Sequence, residues 1–299
     1  MNSQEFLQQY KLGRRDFSGE FFAELRITGH NIENISLRNS SVNLSNLRYV
    51  RFFNSDLRGI FFNSANLDVC VFINCDLSKA IFNGSRLTSL SIINSDFSKA
   101  SLENSFVVNE LSIRKSTMYK VNLQKTEALE IYIEDSNLSG VDLTDCNIKK
   151  ITAIRSNFTY AILKSVKFHR NYNRNSICNN FSFADLRKAD LSYIDLQNSN
   201  FVGADLREAN LSYSNLQRVD MTLARLKKTN LEGANLKGTR GLRFVKVKPS
   251  GHSNVKSIRI IEGAFLKNTR LPHGNLIEEA QYCDAENPIG RTNSNQRLN

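Results

Sequence analysis

The chain has 299 residues, of which 40% are hydrophobic and 23% are charged, and its formal net charge at pH 7 is +11. It has no run of 18 apolar residues, which excludes a membrane-spanning helix, and the N-terminus lacks the basic and apolar regions of a signal peptide. The five cysteines, an odd number without a secretion signal, indicate a reducing compartment, so we expect a cytoplasmic protein.

The first predicted element is a helix in the sequence NSQEFLQQYKL, residues 2–12. Asn2 and Glu5 have the spacing of a capping box, and Phe6 and Tyr10 fall on one helical face. The terminal core of a repeat structure needs a cover, so we expect this helix to be an N-terminal cap. A helix that binds a partner or a membrane surface is the alternative.

A period of five residues governs the chain from Phe17 to Val107, where every fifth residue is apolar without a miss. Five is neither the 3.6-residue period of a helix nor the two-residue period of a flat strand, so the chain must turn a corner every five residues. The position two residues before each apolar residue is mostly small or aliphatic, and we expect it to point inward as well. The period slips by one residue after Val107, and three more tracts follow: Ile113 to Phe168, Phe181 to Leu236, and a short recurrence at Ile261, Leu266, Leu271 and Leu276.

The tract that starts at Phe181 shows the repeated unit openly, as ADLRK, ADLSY, IDLQN, ADLRE, ANLSY and ANLKG. It resembles the pentapeptide-repeat family, whose unit is A(D/N)LXX. The resemblance implies an all-β fold, a right-handed quadrilateral β-helix with four pentapeptides per square coil. A single coil cannot bury its apolar residues, but about eleven stacked coils share one continuous core.

These observations predict three parts of the chain and three interruptions of the β-helix. The parts are a cap helix at 1–12, a pentapeptide-repeat β-helix at 13–278 and a mobile polar tail at 279–299, and the interruptions lie at 108–112, 169–180 and 241–260.

Residues twenty positions apart should stack on one face of such a β-helix. We therefore expect Phe62 to lie on Phe82 and Phe52 on Phe72. A ladder of hydrogen-bonded amides is expected at Asn34, Asn54, Asn74 and Asn94.

Positive charge is concentrated in residues 149–174, which contain no acidic residue, and in residues 240–270, where Glu262 is the only one. Both segments coincide with an interruption, and insertions in repeat proteins often carry specific contacts. They could bind an anionic partner, or they could simply be solvated loops. The candidate partner-binding residues are Lys149, Lys150, Arg155, Lys164, Lys167, Arg170, Arg174, Arg240, Arg243, Lys246, Lys248, Lys256 and Arg259.

Residues that usually perform catalysis form no recognisable set. The four histidines have no ligand-like spacing, and His30 occupies the inward position before Ile32, so we interpret it as a core residue. Cys70, Cys75 and Cys146 occupy the same position and are expected to be buried. We expect no enzyme activity, no metal site and no cofactor.

The stacked Asp56, Asp76 and Asp96 bear on one activity that the resemblance implies. Some pentapeptide-repeat proteins resemble DNA in shape and charge and bind DNA gyrase in its place, which needs an acidic flank. Here Lys79 and Lys99 lie close to the aspartates, and the net charge is positive, which disfavours this hypothesis.

The function that we expect is that of a non-enzymatic scaffold or binding protein, a rigid rod that engages a macromolecular partner, most simply another protein. The first alternative is binding of nucleic acid or a membrane surface through residues 149–174 and 240–270. The second is a gyrase-directed DNA mimic. A homodimer formed through a coil end is a further alternative, because the last coil presents an open edge.

Overall fold

The computed structural model describes residues 1–168, 179–242, 244–247, 258–261, 263–278, 281–284 and 287–288. Most of the predicted interruptions at 169–180 and 241–260 and of the predicted tail at 279–299 lies outside these residues. Among the described residues, no helix is long and apolar enough to cross a bilayer.

The helix α1 (Ser3–Lys11) covers the first coil, as predicted. The Asn2 side chain accepts a hydrogen bond from the Glu5 backbone N–H at 2.9 Å, and the Glu5 carboxylate accepts one from the Asn2 N–H at 3.1 Å. This is the capping box that the sequence indicated. The ring of Phe6 packs edge-on against Phe17, with 5.0 Å between centroids, and thereby closes one end of the core.

The strands are mostly two to four residues long, because the chain turns a corner after each one. They are β1 (Arg26–Thr28), β2 (Asn31–Glu33), β3 (Asn46–Arg48), β4 (Arg51–Phe53), β5 (Asn66–Asp68), β6 (Val71–Ile73), β7 (Arg86–Thr88), β8 (Leu90–Ile93), β9 (Phe106–Arg114), β10 (Glu127–Glu134), β11 (Asn147–Ile154), β12 (Lys167–Phe168), β13 (Phe244–Val247), β14 (Ile258–Ile261), β15 (Phe265–Leu266), β16 (Thr269–Arg270), β17 (Leu276–Ile277), β18 (Gln281–Asp284) and β19 (Asn287–Pro288).

Parallel pairing stacks successive coils, and the partners are usually twenty residues apart. Arg26 pairs with Asn46, for example, and Asn46 pairs with Asn66. Isolated parallel bridges continue this pairing where no strand is long enough to be named. One ladder passes through Asp16, Ser36, Asp56, Asp76, Asp96, Thr117, Asn137, Asn157, Asp185, Asp205 and Arg225. The predicted fold class, a quadrilateral β-helix, is confirmed.

The rod has four faces, and each can be followed by its ladder. Face A follows the ladder from Asp16 to Arg225, and face B follows the ladder from Phe21 to Phe265. Face C contains β1, β3, β5, β7 and β12, and face D contains β2, β4, β6 and β8 and ends in the ladder from Thr152 to Arg240. In each coil, every face places one buried residue between two that point outward.

The corners are made by the residue two positions after each buried apolar residue. These residues have φ angles between 47° and 74°, as at Asn54 (47°), Lys79 (60°) and Gly238 (74°). Most are not glycine, although this left-handed region is unfavourable for other residues. The corner between faces C and D is missing in three consecutive coils, where β9, β10 and β11 continue from one face into the next.

The core consists of stacked apolar side chains along the rod axis. As predicted, the rings of Phe62 and Phe82 stack with 4.7 Å between centroids, and those of Phe52 and Phe72 with 5.2 Å. Several hydroxyl groups at the small inward position donate hydrogen bonds to backbone carbonyls of the preceding coil. Ser85 Oγ, for example, lies 2.7 Å from the Phe62 oxygen.

Three of the four residues of the predicted amide ladder are hydrogen-bonded, on the corner between faces D and A. Asn74 Nδ2 donates to Asn54 Oδ1 at 3.0 Å, and Asn94 Nδ2 donates to Asn74 Oδ1 at 2.7 Å. Asn34 occupies the same corner with a φ of 54°. These contacts make the amides part of the scaffold.

Two predictions about single residues are wrong. His30 is exposed, and its Nδ1 lies 2.8 Å from the Thr28 carbonyl oxygen, because a polar imidazole is costly to bury in an inner slot that in later coils holds apolar residues such as Val50 and Leu90. Leu276 is 49% exposed and Ile277 is 8% exposed, the reverse of the predicted pattern. The reason is that β17 runs antiparallel to β16, so the five-residue period no longer applies.

The regular coils are interrupted at the two edges of face D. The register shift in β9 and the segment between Phe168 and Asn180 both fall between faces C and D. The third insertion falls between Arg240 on face D and Gly263, whose oxygen accepts from the Lys228 N–H on face A.

Candidate interaction surfaces

Three of the predicted basic residues form ion pairs with the adjacent coil. Lys150 Nζ lies 2.6 Å from Glu130, and Arg240 lies 3.4 Å from Asp220. Arg155 contacts two carboxylates of the coil before it, those of Glu134 and Asp135, each at 2.7 Å. Residues 149–174 contain no acidic residue, but carboxylates of the neighbouring coil lie next to Lys150 and Arg155.

The structure divides the other described candidates between two faces. Lys149 and Lys167 are exposed on face C, and Lys164 is exposed on face B. The remaining candidates have no described side chain: Arg170, Arg174, Arg243, Lys248 and Lys256 lie outside the described residues, and Lys246 and Arg259 lie in β13 and β14, of which only the backbone is described.

Lys167 lines a groove of about 370 Å³ on the edge between faces B and C. Its lining alternates in charge along the rod, and consists of Asn104, Phe106, Lys125, Glu127, Asp145, Asn147 and Lys167. Such alternation gives no strong field for a small anion or cation.

Face A carries a different surface in its C-terminal coils, which we name the arginine–tyrosine surface. It is formed by the stacked pentapeptides that end in Tyr160, Lys188, Glu208 and Lys228 and by the corners that precede them. Its members are Tyr160, Phe183, Asp185, Arg187, Lys188, Asp205, Arg207, Glu208, Leu223, Arg225, Lys227 and Lys228.

Two arginines of this surface are held in place by aspartates of their own pentapeptides. Arg187 Nε donates to Asp185 Oδ1 at 2.9 Å, and Arg207 Nε donates to Asp205 Oδ1 at 2.8 Å. Both residues point outward because they flank a buried leucine on an extended segment. Burial alone would raise the pKa of Asp205, but its hydrogen bonds with the Arg207 side chain and backbone together lower it.

Lys188 and Tyr160 are coupled across adjacent coils. Lys188 Nζ lies 5.2 Å from the centroid of the Tyr160 ring and 3.1 Å from its hydroxyl oxygen. The hydrogen bond to Tyr160 raises the pKa of Lys188, so the ammonium form is favoured. Beside them is a cavity of about 310 Å³, lined by Thr159, Tyr160, Arg187, Lys188, Arg207 and Glu208.

Large apolar side chains border this charged strip. Tyr160 is 61% exposed, Phe183 is 59% exposed and Leu223 is 67% exposed. A Cβ atom on Gly203 would come within 2.6 Å of the Phe183 ring, so the glycine allows the ring to lie along the rod. Sequence reasoning missed this surface, although the stacked sequences FADLRK, GADLRE and LARLKK contain it.

The comparison with family models decides which proteins this chain resembles. The pentapeptide-repeat model matches in eight copies, over residues 45–84, 65–104, 136–170, 180–212 and 204–240. The chain belongs to the pentapeptide-repeat family.

Several solved structures are similar to this chain. HetL, a pentapeptide repeat protein involved in heterocyst differentiation regulation from the cyanobacterium Nostoc sp. strain PCC 7120, is 24% identical, and the match covers 92% of this chain and 99% of HetL with a TM-score of 0.47. Rfr23 from the cyanobacterium Cyanothece 51142 is 25% identical over 40% of this chain and 86% of its own, with a TM-score of 0.31. A trypsin-treated variant of QnrB1, a plasmid-mediated fluoroquinolone resistance protein, is 17% identical over 85% of this chain and 92% of its own, with a TM-score of 0.28. No curated protein sequence gives a significant match.

An exposed pair of tyrosines of this pentapeptide-repeat protein lies on the edge between faces B and C. The rings of Tyr193 and Tyr213 stack with 5.1 Å between centroids and an interplanar angle of 11°.

Within the described part of the chain, no three His, Cys, Asp or Glu side chains converge as a metal site would require. The thiols of Cys70, Cys75 and Cys146 are buried, as predicted.

Proposed function

We propose that this chain is a non-enzymatic binding protein, a rigid rod that uses its arginine–tyrosine surface to hold a partner protein. The observation that supports it most is the combination on one flat face of six basic residues, three acidic residues and three well-exposed apolar side chains. Both the binding role and the class of partner, a protein, are part of this proposal.

The chemistry of the surface suits protein recognition. Tyrosine and arginine are enriched among the residues that dominate binding energy at protein interfaces. Arg187 and Arg207 are already oriented by Asp185 and Asp205, and the backbone beneath them is fixed by the bridge ladder. A partner would therefore order few groups on this side of the interface, which reduces the entropic cost of binding.

A nucleic acid is a poorer match for the same surface. The aspartates that orient Arg187 and Arg207 also point outward, so phosphates would approach carboxylates as closely as guanidinium groups. Nucleic-acid binding, which depends mainly on counterion release, is therefore the alternative. It would be revealed by capture that is lost at high salt.

DNA mimicry also receives little support. Arg58 Nε lies 2.8 Å from Asp56 Oδ1 and 3.6 Å from Asp76, so one guanidinium partly neutralises two carboxylates of the stacked set. The ladder thus lacks the continuous negative charge that a DNA mimic needs.

Placement in a reducing compartment is part of the proposal. Cys70, Cys75 and Cys146 are buried free thiols that donate hydrogen bonds to backbone carbonyls, as Cys146 Sγ does to the Leu123 oxygen at 2.9 Å. They serve as small core residues, a role that needs no disulfide.

The test is affinity capture with the full chain and two matched pairs of corner substitutions. Tyr160→Asn with Leu223→Asn alters the arginine–tyrosine surface, and Tyr193→Asn with Tyr213→Asn is the control on the opposite edge. All four residues have positive φ angles, which asparagine tolerates, so the backbone should be unchanged. We expect a protein that the native chain and the control retain at 0.15 M and 0.5 M salt and that the surface variant loses. Equal retention by both variants, or capture that vanishes with salt, would contradict the proposal.

A further inference from the structure

A column of five aligned side chains on face D carries a negative charge at one end and a positive charge at the other. The parallel register of β2, β4, β6, β8 and β9 aligns Glu33, Phe53, Ile73, Ile93 and Arg114, one in each successive coil. All five point outward, since the buried residues of these coils are their neighbours in the chain. Within these five coils the column therefore begins with a carboxylate, reaches a guanidinium in the fifth and is apolar between them; Glu134 and Ile154 continue it in the next two coils.

The two columns beside it have their centre at the same coil. On one side lie Asn31, Arg51, Val71, Ser91 and Ser112. On the other side lie the corner residues Asn34, Asn54, Asn74, Asn94 and Lys115, of which Asn54, Asn74 and Asn94 form the hydrogen-bonded amide ladder. Val71, Ile73 and Asn74 thus mark the middle coil of a patch that is apolar at its centre and polar at its rim, a composition typical of interaction sites.

A two-fold axis that lies across face D at the level of Ile73 would bring each column against itself in reverse order. Ile73 would meet Ile73 of the second copy, Phe53 would meet Ile93, and Glu33 would meet Arg114. An isologous interface requires this kind of self-complementarity, in which each residue contacts its symmetry counterpart reciprocally.

We propose that this chain forms an antiparallel homodimer through face D, centred on Ile73. The occupant is a second copy because the patch carries both halves of the charge pairing. A different partner would need an acidic group that faces Arg114 and a basic group that faces Glu33, and this chain supplies both at the required spacing. The amide ladder contributes too, since Asn54 would lie opposite Asn94 and Asn74 opposite itself.

The size of the patch sets the strength of the dimer. Glu33 and Arg114 are four coils apart, about 19 Å along the rod at the usual strand spacing. An interface of this length on a narrow face belongs to the smallest class of specific contacts, which are weak. We therefore expect association in the micromolar range.

The dimer would have a consequence for the arrangement of the arginine–tyrosine surfaces. Because the N-terminal halves overlap in opposite directions, the C-terminal coils of the two copies project to opposite ends. The inference does not rest on the proposed function, but it would make the rod bivalent toward any partner of those coils.

Sedimentation velocity of the full chain from about 1 to 200 µM tests the dimer, with the range chosen for a weak interface. The native chain should shift from monomer to dimer, and Ile73→Asp should weaken association at least tenfold, because it places two carboxylates together on the axis. Val202→Asp is the matched control, since Val202 is a partly exposed residue of the same face between Ser182 and Thr222, beyond the overlap. A monomer at all concentrations would overturn the proposal, as would a dimer that persists in Ile73→Asp, which would point to a coil end.

A double-mutant cycle tests the antiparallel register without altering the apolar centre. Glu33→Gln and Arg114→Gln should each weaken the dimer about two- to fivefold, as expected for an exposed ion pair that occurs twice. The double variant should be no weaker than either single variant, because both remove the same contact. Effects that multiply would show that the two residues do not meet and would overturn the register.

Discussion

Arg155 Nε lies 2.7 Å from the Asp135 Oδ1 atom, and the two residues occupy the same corner of adjacent coils, twenty residues apart. The same guanidinium reaches Glu134 at 2.7 Å. In a coil of this period the electrostatic neighbour of a residue is the residue one coil away, so charge counted along the sequence does not describe charge on the surface.

This contact predicts a pH-dependent effect of Arg155→Gln. Its hydrogen bonds with Arg155 lower the pKa of Asp135 below its ordinary value of 3.8, and chiefly the same side chain lowers the pKa of Glu134 below 4.5. A depressed carboxylate pKa stabilises the fold above its ordinary value, and this contribution is lost as the pH falls through the folded-state value. Arg155→Gln should therefore lower the midpoint of thermal unfolding slightly at pH 7, and the difference should shrink below pH 3.8.

The control for this measurement is Arg51→Gln. Arg51 is exposed on face D and forms no ion pair with the residues that the structure describes. Its midpoint should differ from that of the native chain equally at both pH values. An Arg155→Gln difference that stayed constant or grew toward low pH would contradict the assignment.

Two residues in one pentapeptide should respond to substitution with opposite signs. Leu67 is fully buried, and Leu67→Ala should cost about 2–5 kcal/mol of unfolding free energy through lost burial and a cavity. Val69 is a β-branched residue with a φ of 52°, so Val69→Asn should stabilise the rod by up to about 1 kcal/mol. Urea unfolding of both variants measures the two effects, and a destabilised Val69→Asn would show that the corner is not strained.

The sequence predicted the parts of this protein that follow from the five-residue period. Leu67 in the core, the stacked rings of Phe62 and Phe82 and the amides of Asn54 and Asn74 all depend only on position within the coil. The prediction for His30 failed because the period assigns a direction to a side chain without testing whether its polar atoms would find partners in the core.

The candidate site was much less predictable. The ion pair between Lys150 and Glu130 needs the coil stacking applied to charges, which a count over residues 149–174 ignores. The arginine–tyrosine surface was missed for a related reason, since Tyr160 and Lys188 are 28 residues apart and meet only across the insertion that separates their coils. The sequence of one pentapeptide does not show which later pentapeptide lies beside it when an insertion separates the two.

Burial should make the core cysteines unreactive in the native state. Burial raises the pKa of Cys70 to about 12, that of Cys75 to about 11 and that of Cys146 to about 12, so almost no thiolate is present at pH 8. Iodoacetamide at pH 8, followed by peptide mass spectrometry, should modify these three residues only at denaturant concentrations that unfold the chain. Modification of Cys70 or Cys146 before global unfolding would show that the coils open locally.

Two glycines with similar backbone conformations should respond very differently to alanine. Gly29 has a φ of 71°, and a Cβ atom built on it meets nothing within 4 Å. Gly241 has a φ of 78°, but a Cβ atom built on it would overlap the Thr222 backbone nitrogen. Gly29→Ala should therefore cost about 1 kcal/mol, the strain of a left-handed alanine.

Gly241→Ala should carry the same strain and a further cost of about 1–3 kcal/mol, because the atom in its way belongs to the backbone of the preceding coil and cannot rotate aside. Chemical unfolding of the two variants beside the native chain isolates this difference, since the conformational strain cancels between them. Equal losses would mean that the coil at Gly241 is more widely spaced than the contact with Thr222 requires. A larger loss at Gly241 would establish that face D remains closely stacked up to Gly241.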